Sequence, residues 1–347
     1  MVPHPKSRAV SLLALSTAGS ISCMLLALAV GTVWISPRSL FSALSSLNSP
    51  EPSLEKAIIL SLRLPRVLLA FAAGAAFSVS GAALQAVLKN PLASPFTLGV
   101  SAGASLGAGS VILFGLSSSL AAASGILSLA SAPLAGFLMA MLTVGILLRF
   151  SRAVDPDLSG TTVILAGMVI SLFLNALLTL ATALSRESVQ RLVFWQMGSF
   201  ALKGPYAVVV VWVTALAGIS LLSLFHRELD ILTFGDDEAV SLGVNSGRMR
   251  VILIAISAVM TGTAVSFVGV IGFVDLAVPH AVRRIAGPAH RLLIPLCALW
   301  GGTLMVAADL IARIVLAPTE LPVGAVTALL GAPFFARLWM HAGRRDR

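Results

Sequence analysis

Small polar residues recur every three or four positions along one long apolar stretch of the sequence. They are Gly167, Ser171, Asn175, Thr179 and Thr182, and this spacing places them on one face of a helix. Hydroxyl and amide groups can hydrogen-bond water or a polar solute, and none of these side chains is charged. The pattern predicts the wall of a water-filled pathway; the alternative is a helix–helix interface held by small polar groups.

The residue patterns that enzymes and metal sites need are missing from the sequence. It contains no GxxxxGK[ST] phosphate-binding loop and no HExxH motif. The cysteines, Cys23 and Cys297, lie far apart in apolar stretches, and His280 has no second histidine at ligand spacing on its helix. We therefore expect no catalytic residue, no metal site and no cofactor, and the chain has no recognisable ATP-binding loop of its own.

The segments that position these residues are apolar and long enough to cross a membrane. Hydrophobic residues make up 58% of the chain and charged residues 11%, whereas a soluble domain carries about 25% charged residues. Within lipid the backbone must satisfy its own hydrogen bonds, so spans of about 20 residues must be helices. We predict an all-α polytopic membrane protein, a single domain over residues 1–347, with about ten transmembrane helices near residues 10–35, 66–88, 97–116, 122–148, 161–184, 206–225, 250–267, 269–280, 292–313 and 323–341.

The distribution of basic residues predicts how the chain lies in the membrane. With the N-terminus in the cytoplasm, 15 of the 23 lysines and arginines fall in cytoplasmic segments, as the positive-inside rule requires. Both termini are therefore predicted to be cytoplasmic, and the net charge of +9 indicates lipid contact rather than nucleic-acid binding. The first apolar run exceeds the ~7–15 residues of a signal peptide, so we expect a retained helix. The eighth span is too short to cross alone, so it is either half-length or continuous with a neighbour.

Several long motifs, in order along the chain, carry a family resemblance. They are the segment from Arg63 to Ala108 that contains KNPLASPFTLGVSAGAS, then FWQMGS (194–199), EAVSLGVN (238–245), VGVIGFVDLAVPHAVRR (268–284), GPAHRLLIP (287–295) and DLIARIVLAPTELPVGAVTALLGAPFF (309–335). With these motifs the chain resembles FecCD-type permeases, the membrane subunits of ATP-driven importers for iron siderophores, haem and vitamin B12. The resemblance covers nearly the whole chain after its first span and implies the type II ABC importer permease architecture.

The resemblance also implies partners and a location. Two permease subunits, a homodimer rather than a pair of paralogues, would sit in a bacterial inner membrane on a cytoplasmic ABC ATPase dimer, and a periplasmic substrate-binding protein would dock outside. Residues 226–250 fit the cytoplasmic coupling segment, in which Ala239, Leu242 and Gly243 would contact the ATPase. An ordinary solvated loop is the alternative for this segment.

By the same resemblance, Arg63, Arg66 and Arg313 fit basic sockets for carboxylates of the binding protein, since arginine holds a carboxylate with two parallel hydrogen bonds. Snorkelling at a helix start is the alternative for Arg63 and Arg66. Asn90 and Leu92 fit a cytoplasmic gate, although a purely structural turn is also open. The i, i+4 spacing of Asp309 and Arg313 predicts an ion pair on one helix face.

One residue departs from the family pattern. Asp275 stands in GFVDL where a glycine is usual, and a carboxylate in an apolar stretch needs a partner or water. Arg283 or Arg284 is the expected partner, and the departure bears on local packing and on whether the subunit forms a homodimer.

Two classes of transporter remain open from the sequence. We expect an importer of a ferric siderophore first and of haem or vitamin B12 next, working by alternating access along a dimer axis. The alternative is an ion-coupled secondary transporter, for which Asp275 and Asp309 are the candidate acids.

Overall fold

A computed structural model describes residues 5–31, 33–45, 54–115, 125–185 and 188–342, and all regular structure within them is helical. The helices are α1 (Pro5–Ala29), α2 (Pro37–Ser45), α3 (Leu54–Ala57), a π-helical turn (Ile58–Arg63), α4 (Leu64–Val87), α5 (Val100–Leu113), α6 (Gly125–Val154), α7 (Gly160–Leu184), α8 (Val189–Gln196), α9 (Gly204–Leu224), α10 (His226–Phe234), α11 (Asp236–Ser241), α12 (Ser246–Val268), α13 (Val274–Ala286), α14 (His290–Ile314) and α15 (Val323–Ala342).

Within the described ranges, seven helical segments are long and apolar enough to cross a membrane. One is the continuous helix Leu54–Val87, which joins α3, the π-helical turn and α4, and the others are α1, α6, α7, α9, α12 and α14. Two shorter apolar helices, α5 and the first half of α15, accompany them. The prediction of an all-α polytopic membrane protein is confirmed. We call the two membrane faces outer and inner after the charge bias of the loops, and this orientation stays a prediction.

The eighth predicted span is a short, separate helix. The chain leaves the helical conformation at Gly269, with φ of 82°, and again has positive φ at Phe273, 72°. These residues separate α12 from the thirteen-residue α13. The half-length alternative is therefore the observed one, and the helix starts five residues later than the approximate range 269–280 because that range counted this break as helix.

Helix α4 lies at the centre of the described structure. Every residue from Ala72 to Val87 is buried, and the helix packs against α1, α9, α10, α12, α13 and α14. A helix that is apolar on all sides is expected to be a core helix. Its small residues make this position possible, because close approach of backbones supplies the packing that drives association in lipid.

Two contacts show how close the approach is. A Cβ atom at Gly74 would collide with the carbonyl oxygen of Gly301 on α14, and a Cβ atom at Gly301 would collide with that of Gly74. Further along α4, a Cβ atom at Gly81 would collide with the backbone of Asp275 on α13. Glycine is therefore required where α4 crosses α14 and α13.

We expect Gly301→Leu to destabilise the protein by about 1–3 kcal/mol, the usual cost of overpacking a tight interior. Gly145→Leu is the matched control, because a Cβ atom at Gly145 on α6 would have no described neighbour within 4 Å. The measurement is the thermal denaturation midpoint in detergent. Equal midpoints for the two variants would contradict the assigned α4–α14 contact.

Candidate functional site

Four charged side chains form one network at the outer end of α4 and α14. Arg66 donates from Nε and Nη2 to the Asp309 carboxylate at 2.9–3.0 Å and from Nη1 to Glu320 Oε1 at 2.8 Å. Arg313 Nε lies 3.2 Å from Asp309 Oδ2, which confirms the predicted i, i+4 ion pair. Asp309 is buried and Glu320 is 41% exposed, so Glu320 is the member that solvent or a partner can reach.

Arg63, unlike Arg66 and Arg313, forms no ion pair among the described residues, although it shares with Arg313, which donates to Ala27 O at 3.1 Å, its contact with the end of α1. Its guanidinium is buried and donates to the carbonyl oxygens of Leu28, Ala29 and Val33 at 2.7, 2.9 and 2.5 Å. The last carbonyls of a helix have no partner within the helix. Arg63 therefore caps the end of α1 and does not offer an accessible charge at the surface.

A cavity of about 520 Å³ opens beside this network and is lined by Arg63, Arg66, Arg313 and Glu320 together with Lys203 and residues of the loop before α9. Lys203 forms no ion pair among those found in the described parts of the chain. Burial lowers the pKa of the Lys203 ammonium from its ordinary value. A carboxylate entering the cavity would supply the counter-charge that Lys203 does not receive from the described residues.

At the inner end of α4, residues 88–99 form a compact loop that contains the predicted gate residues. Asn90 Oδ1 accepts a hydrogen bond from the backbone N–H of Leu92 at 2.8 Å, and Thr97 Oγ1 both donates to Ser94 O and accepts from Ser94 N–H. Asn90 therefore shapes the turn, while Leu92 stands at its tip with 50% exposure. We refer to residues 88–99 as the gate loop.

The polar stripe of α7 divides between two environments. Gly167 lies against the backbone of Thr97 in the gate loop, and Ser171 lies beside Gly99. Asn175 and Thr179 are exposed on the described surface, and the hydroxyls of Thr179 and Thr182 donate to carbonyls of their own helix. The inner half of the stripe is thus a contact with the gate loop, and the outer half is free to face a pathway or a partner.

The coupling segment folds as two short helices, α10 and α11, beneath the gate loop. Helix α10 is fixed to α14 because Asp230 Oδ1 accepts from the backbone N–H and the Nδ1 of His290 at 2.9 and 2.6 Å. In α11 the structure buries Ala239 completely, whereas Leu242 is 64% exposed and Gly243 is also exposed. Ala239 therefore faces its own chain, and the apolar surface available to a partner is formed by Val240 in α11 with Leu242 and Gly243 directly after it. The sequence had not singled out Val240.

Asp275 is buried at the start of α13 without the expected arginine partner. Arg283 instead contacts Gln85 Oε1 and donates to Ala82 O at 3.3 Å, and no ion pair joins Asp275 to Arg283 or Arg284 in the described ranges. Gln85 Nε2 donates to the backbone oxygen of Asp275 at 3.2 Å. The described residues also contain no group of three histidine, cysteine or acidic side chains that could hold a metal ion.

Sequence relatives cover almost the whole chain. The ABC transporter permease protein YvrB of Bacillus subtilis is 40% identical over 302 residues, which cover 87% of this chain and 84% of YvrB. The cobalamin import system permease protein BtuC of Halobacterium salinarum is 38% identical over 288 residues, 83% of this chain and 74% of that protein. The vitamin B12 import system permease protein BtuC of Escherichia coli is 35% identical over 328 residues, 92% of each chain.

Solved structures show the same architecture. An inward-facing metal-chelate type ABC transporter superposes with a TM-score of 0.83 at 29% identity, covering 95% of this chain and 99% of that one. PsaBC from Streptococcus pneumoniae in complex with a Fab superposes with a TM-score of 0.55 at 15% identity over 79% of this chain and 89% of that one, and shows similarity of fold alone. The predicted type II ABC importer permease architecture is confirmed.

The profile of the FecCD transport family matches residues 19–341. That range contains the outer charge network, the gate loop and the coupling segment described above. By this profile and by its relatives, the chain belongs to the FecCD transport family.

Proposed function

We propose that this chain is the membrane-spanning subunit of an ATP-driven importer for a metal chelate in the inner membrane of a bacterium. The observation that carries the proposal is the near-complete match to the Escherichia coli permease named for vitamin B12 import, 35% identity over 92% of each chain. The structure supports it with an inner face on which a short helix, α11, exposes apolar side chains beneath the gate loop. This is where a motor subunit outside the membrane would push.

The substrate class follows from the relatives more than from the pathway residues. Asn175 and Thr179, the exposed outer half of the stripe, offer an amide and a hydroxyl without a charge, which suits a bulky, largely neutral chelate. The relatives named for cobalamin and vitamin B12 import favour a cobalt corrinoid. The sequence of the segment NPLASPFTLGVSAGAS favours a ferric siderophore instead. The uptake assay therefore includes a corrinoid and a ferric siderophore.

The second copy of the permease is proposed to lie against α7. Only 28% of the apolar window of α7 is buried in the single chain, and Leu172 and Phe173 are exposed next to the polar stripe. A partner on this face would place Asn175 and Thr179 beside a pathway along the dimer axis. A homodimer is the simplest assembly that meets this requirement.

The outer network is proposed to dock the substrate-binding protein. Arg66 already holds the buried Asp309, so its remaining Nη1 is available to an incoming carboxylate once Glu320 moves aside. Arg313 keeps the Asp309 carboxylate in place, and Lys203 contributes a charge on the cavity wall that no described acidic side chain pairs with. Arg63 contributes indirectly, by fixing the end of α1 beside the cavity.

An ion-coupled secondary transporter is the alternative. Such a carrier needs an intramembrane acid that can bind the coupling ion, but the Asp309 carboxylate is already paired with Arg66 and Arg313. Of the two acids that the sequence suggested, only Asp275 remains as a candidate.

We expect uptake by proteoliposomes to require ATP and the ATPase subunits. The complex of permease, ATPase and binding protein is assayed with radiolabelled cyanocobalamin and, in parallel, ferrichrome, with ATP inside the vesicles or with an imposed proton or sodium gradient. Uptake of either compound with ATP and without an imposed gradient supports the proposal, and the compound taken up identifies the chelate. Uptake driven by the gradient without the ATPase subunits would refute it in favour of the ion-coupled carrier.

We expect Lys203→Glu to slow association of the binding protein by about tenfold at low salt, because charges at an interface mainly set the association rate. The difference should shrink as salt is added, since exposed charges are screened within about 10 Å at 0.1 M. Arg38→Glu is the matched control, an exposed arginine outside the cavity lining. Surface plasmon resonance on the permease complex in nanodiscs gives the rates, and equal rates for both variants would remove Lys203 from the docking surface.

A further inference from the structure

We propose that Arg250 is a positioning residue that joins the coupling segment to the gate loop, so that movement of α11 is passed to Lys89 and Asn90. The inference rests on the proposed function, because it assigns the part that carries motion from the ATPase side. The sequence motifs placed Arg250 at the last position of the coupling segment and gave its side chain no role.

The contacts of Arg250 connect three separate parts of the inner face. The side chain is 1% exposed. Its Nη2 donates to Asp236 Oδ1 at 2.5 Å at the start of α11, its Nη1 donates to Asp157 O at 2.6 Å in the loop before α7, and its Nε donates to Val87 O at 3.4 Å at the end of α4. One guanidinium therefore bonds the coupling helix, the α6–α7 connection and the helix that leads into the gate loop.

A second ion pair links the same carboxylate to the gate loop directly. Lys89 Nζ lies 3.4 Å from Asp236 Oδ1, and Lys89 immediately precedes the gate residue Asn90. Lys89 has a φ of 49° and ends α4 with hydrogen bonds from its own N–H to Ala86 O and from Asn90 N–H to Gln85 O, the arrangement in which glycine is usual. A lysine at this strained position provides a charge that glycine could not.

The chemistry of the guanidinium suits a rigid link. Arginine presents its donors in a fixed planar fork, so the three acceptors keep their relative positions as long as all three bonds hold. A buried charge that loses its partner is strongly penalised, which favours Asp236 and Arg250 moving together. A displacement of α11 by a partner protein is then transmitted to the end of α4 instead of being absorbed by a flexible loop.

The test uses the complete complex in proteoliposomes with a reporter on the gate loop. Leu92→Cys in a Cys23→Ala, Cys297→Ala background is reacted with a maleimide in the nucleotide-free and the ATP–vanadate-trapped states. We expect the labelling rate with Arg250 present to differ between the two states. We expect Arg250→Gln to reduce that difference about tenfold, within the 5–150-fold range typical of couplings between sites, while ATP hydrolysis stays within about twofold of the parent.

A matched pair of acids separates a link from a general charge effect. Asp236→Asn removes the shared partner and should also reduce the difference, whereas Asp237→Asn, an exposed neighbour on the same helix, should leave it unchanged. Arg250→Lys keeps the charge without the fork and should give an intermediate value. If the Arg250→Gln complex does not assemble, the Asp236→Asn variant decides alone. The Asp236 side chain is 42% exposed, so its replacement disturbs the packing less than replacement of the buried Arg250.

The other outcomes have separate meanings. An undiminished difference in assembled Arg250→Gln, or in Asp236→Asn, overturns the inference and leaves the proposed function standing. Loss of ATP hydrolysis in Arg250→Gln also overturns it, because the residue would then support the ATPase contact itself. A complex with Arg250 intact that shows no ATP-dependent labelling contradicts both the inference and the proposed function.

Discussion

The close contact of α4 with α14 and α13 is the constraint on which the rest of the structure depends. Gly74 and Gly301 let two backbones touch, and Gly81 does the same for α13. Because α4 is fixed in this way at the centre, both of its ends have defined positions. The outer end places Arg66 against Asp309, and the inner end places Val87 and Lys89 against Arg250 and Asp236.

Charge is used in the same way at the two ends of this helix. At each end, one acidic residue pairs with two basic side chains. Asp309 pairs with Arg66 and Arg313 at the outer end, and Asp236 pairs with Lys89 and Arg250 at the inner end. Buried or half-buried charges are tolerated when they are paired and hydrogen-bonded. In each cluster one acidic group, Glu320 or Asp236, retains more than a third of its exposure, so each cluster has a side that a partner protein can approach.

The sequence predicted the fold class and most span positions because composition and segment length dominate in lipid. It placed Arg66 and Arg313 at the same face, and the spacing of Asp309 and Arg313 predicted their pair. It could not show that Asp309 would join Arg66, since that contact depends on how α14 crosses α4. Nor could it show that Ala239 points inward, because α11 is too short for its buried face to be read from periodicity. Lys89 gave no signal either, since a lysine in a left-handed helix cap has no characteristic pattern.

The hydrogen bonds inside the gate loop have a consequence for how it can move. Asn90, Ser94 and Thr97 bind their neighbours' backbone groups, so the loop resists bending within itself. The two positions of positive φ, Lys89 and Gly99, lie where it joins α4 and α5. Rotation about these two junctions would move the segment as one unit, and it would cost little chain entropy because the same internal bonds would hold before and after the movement.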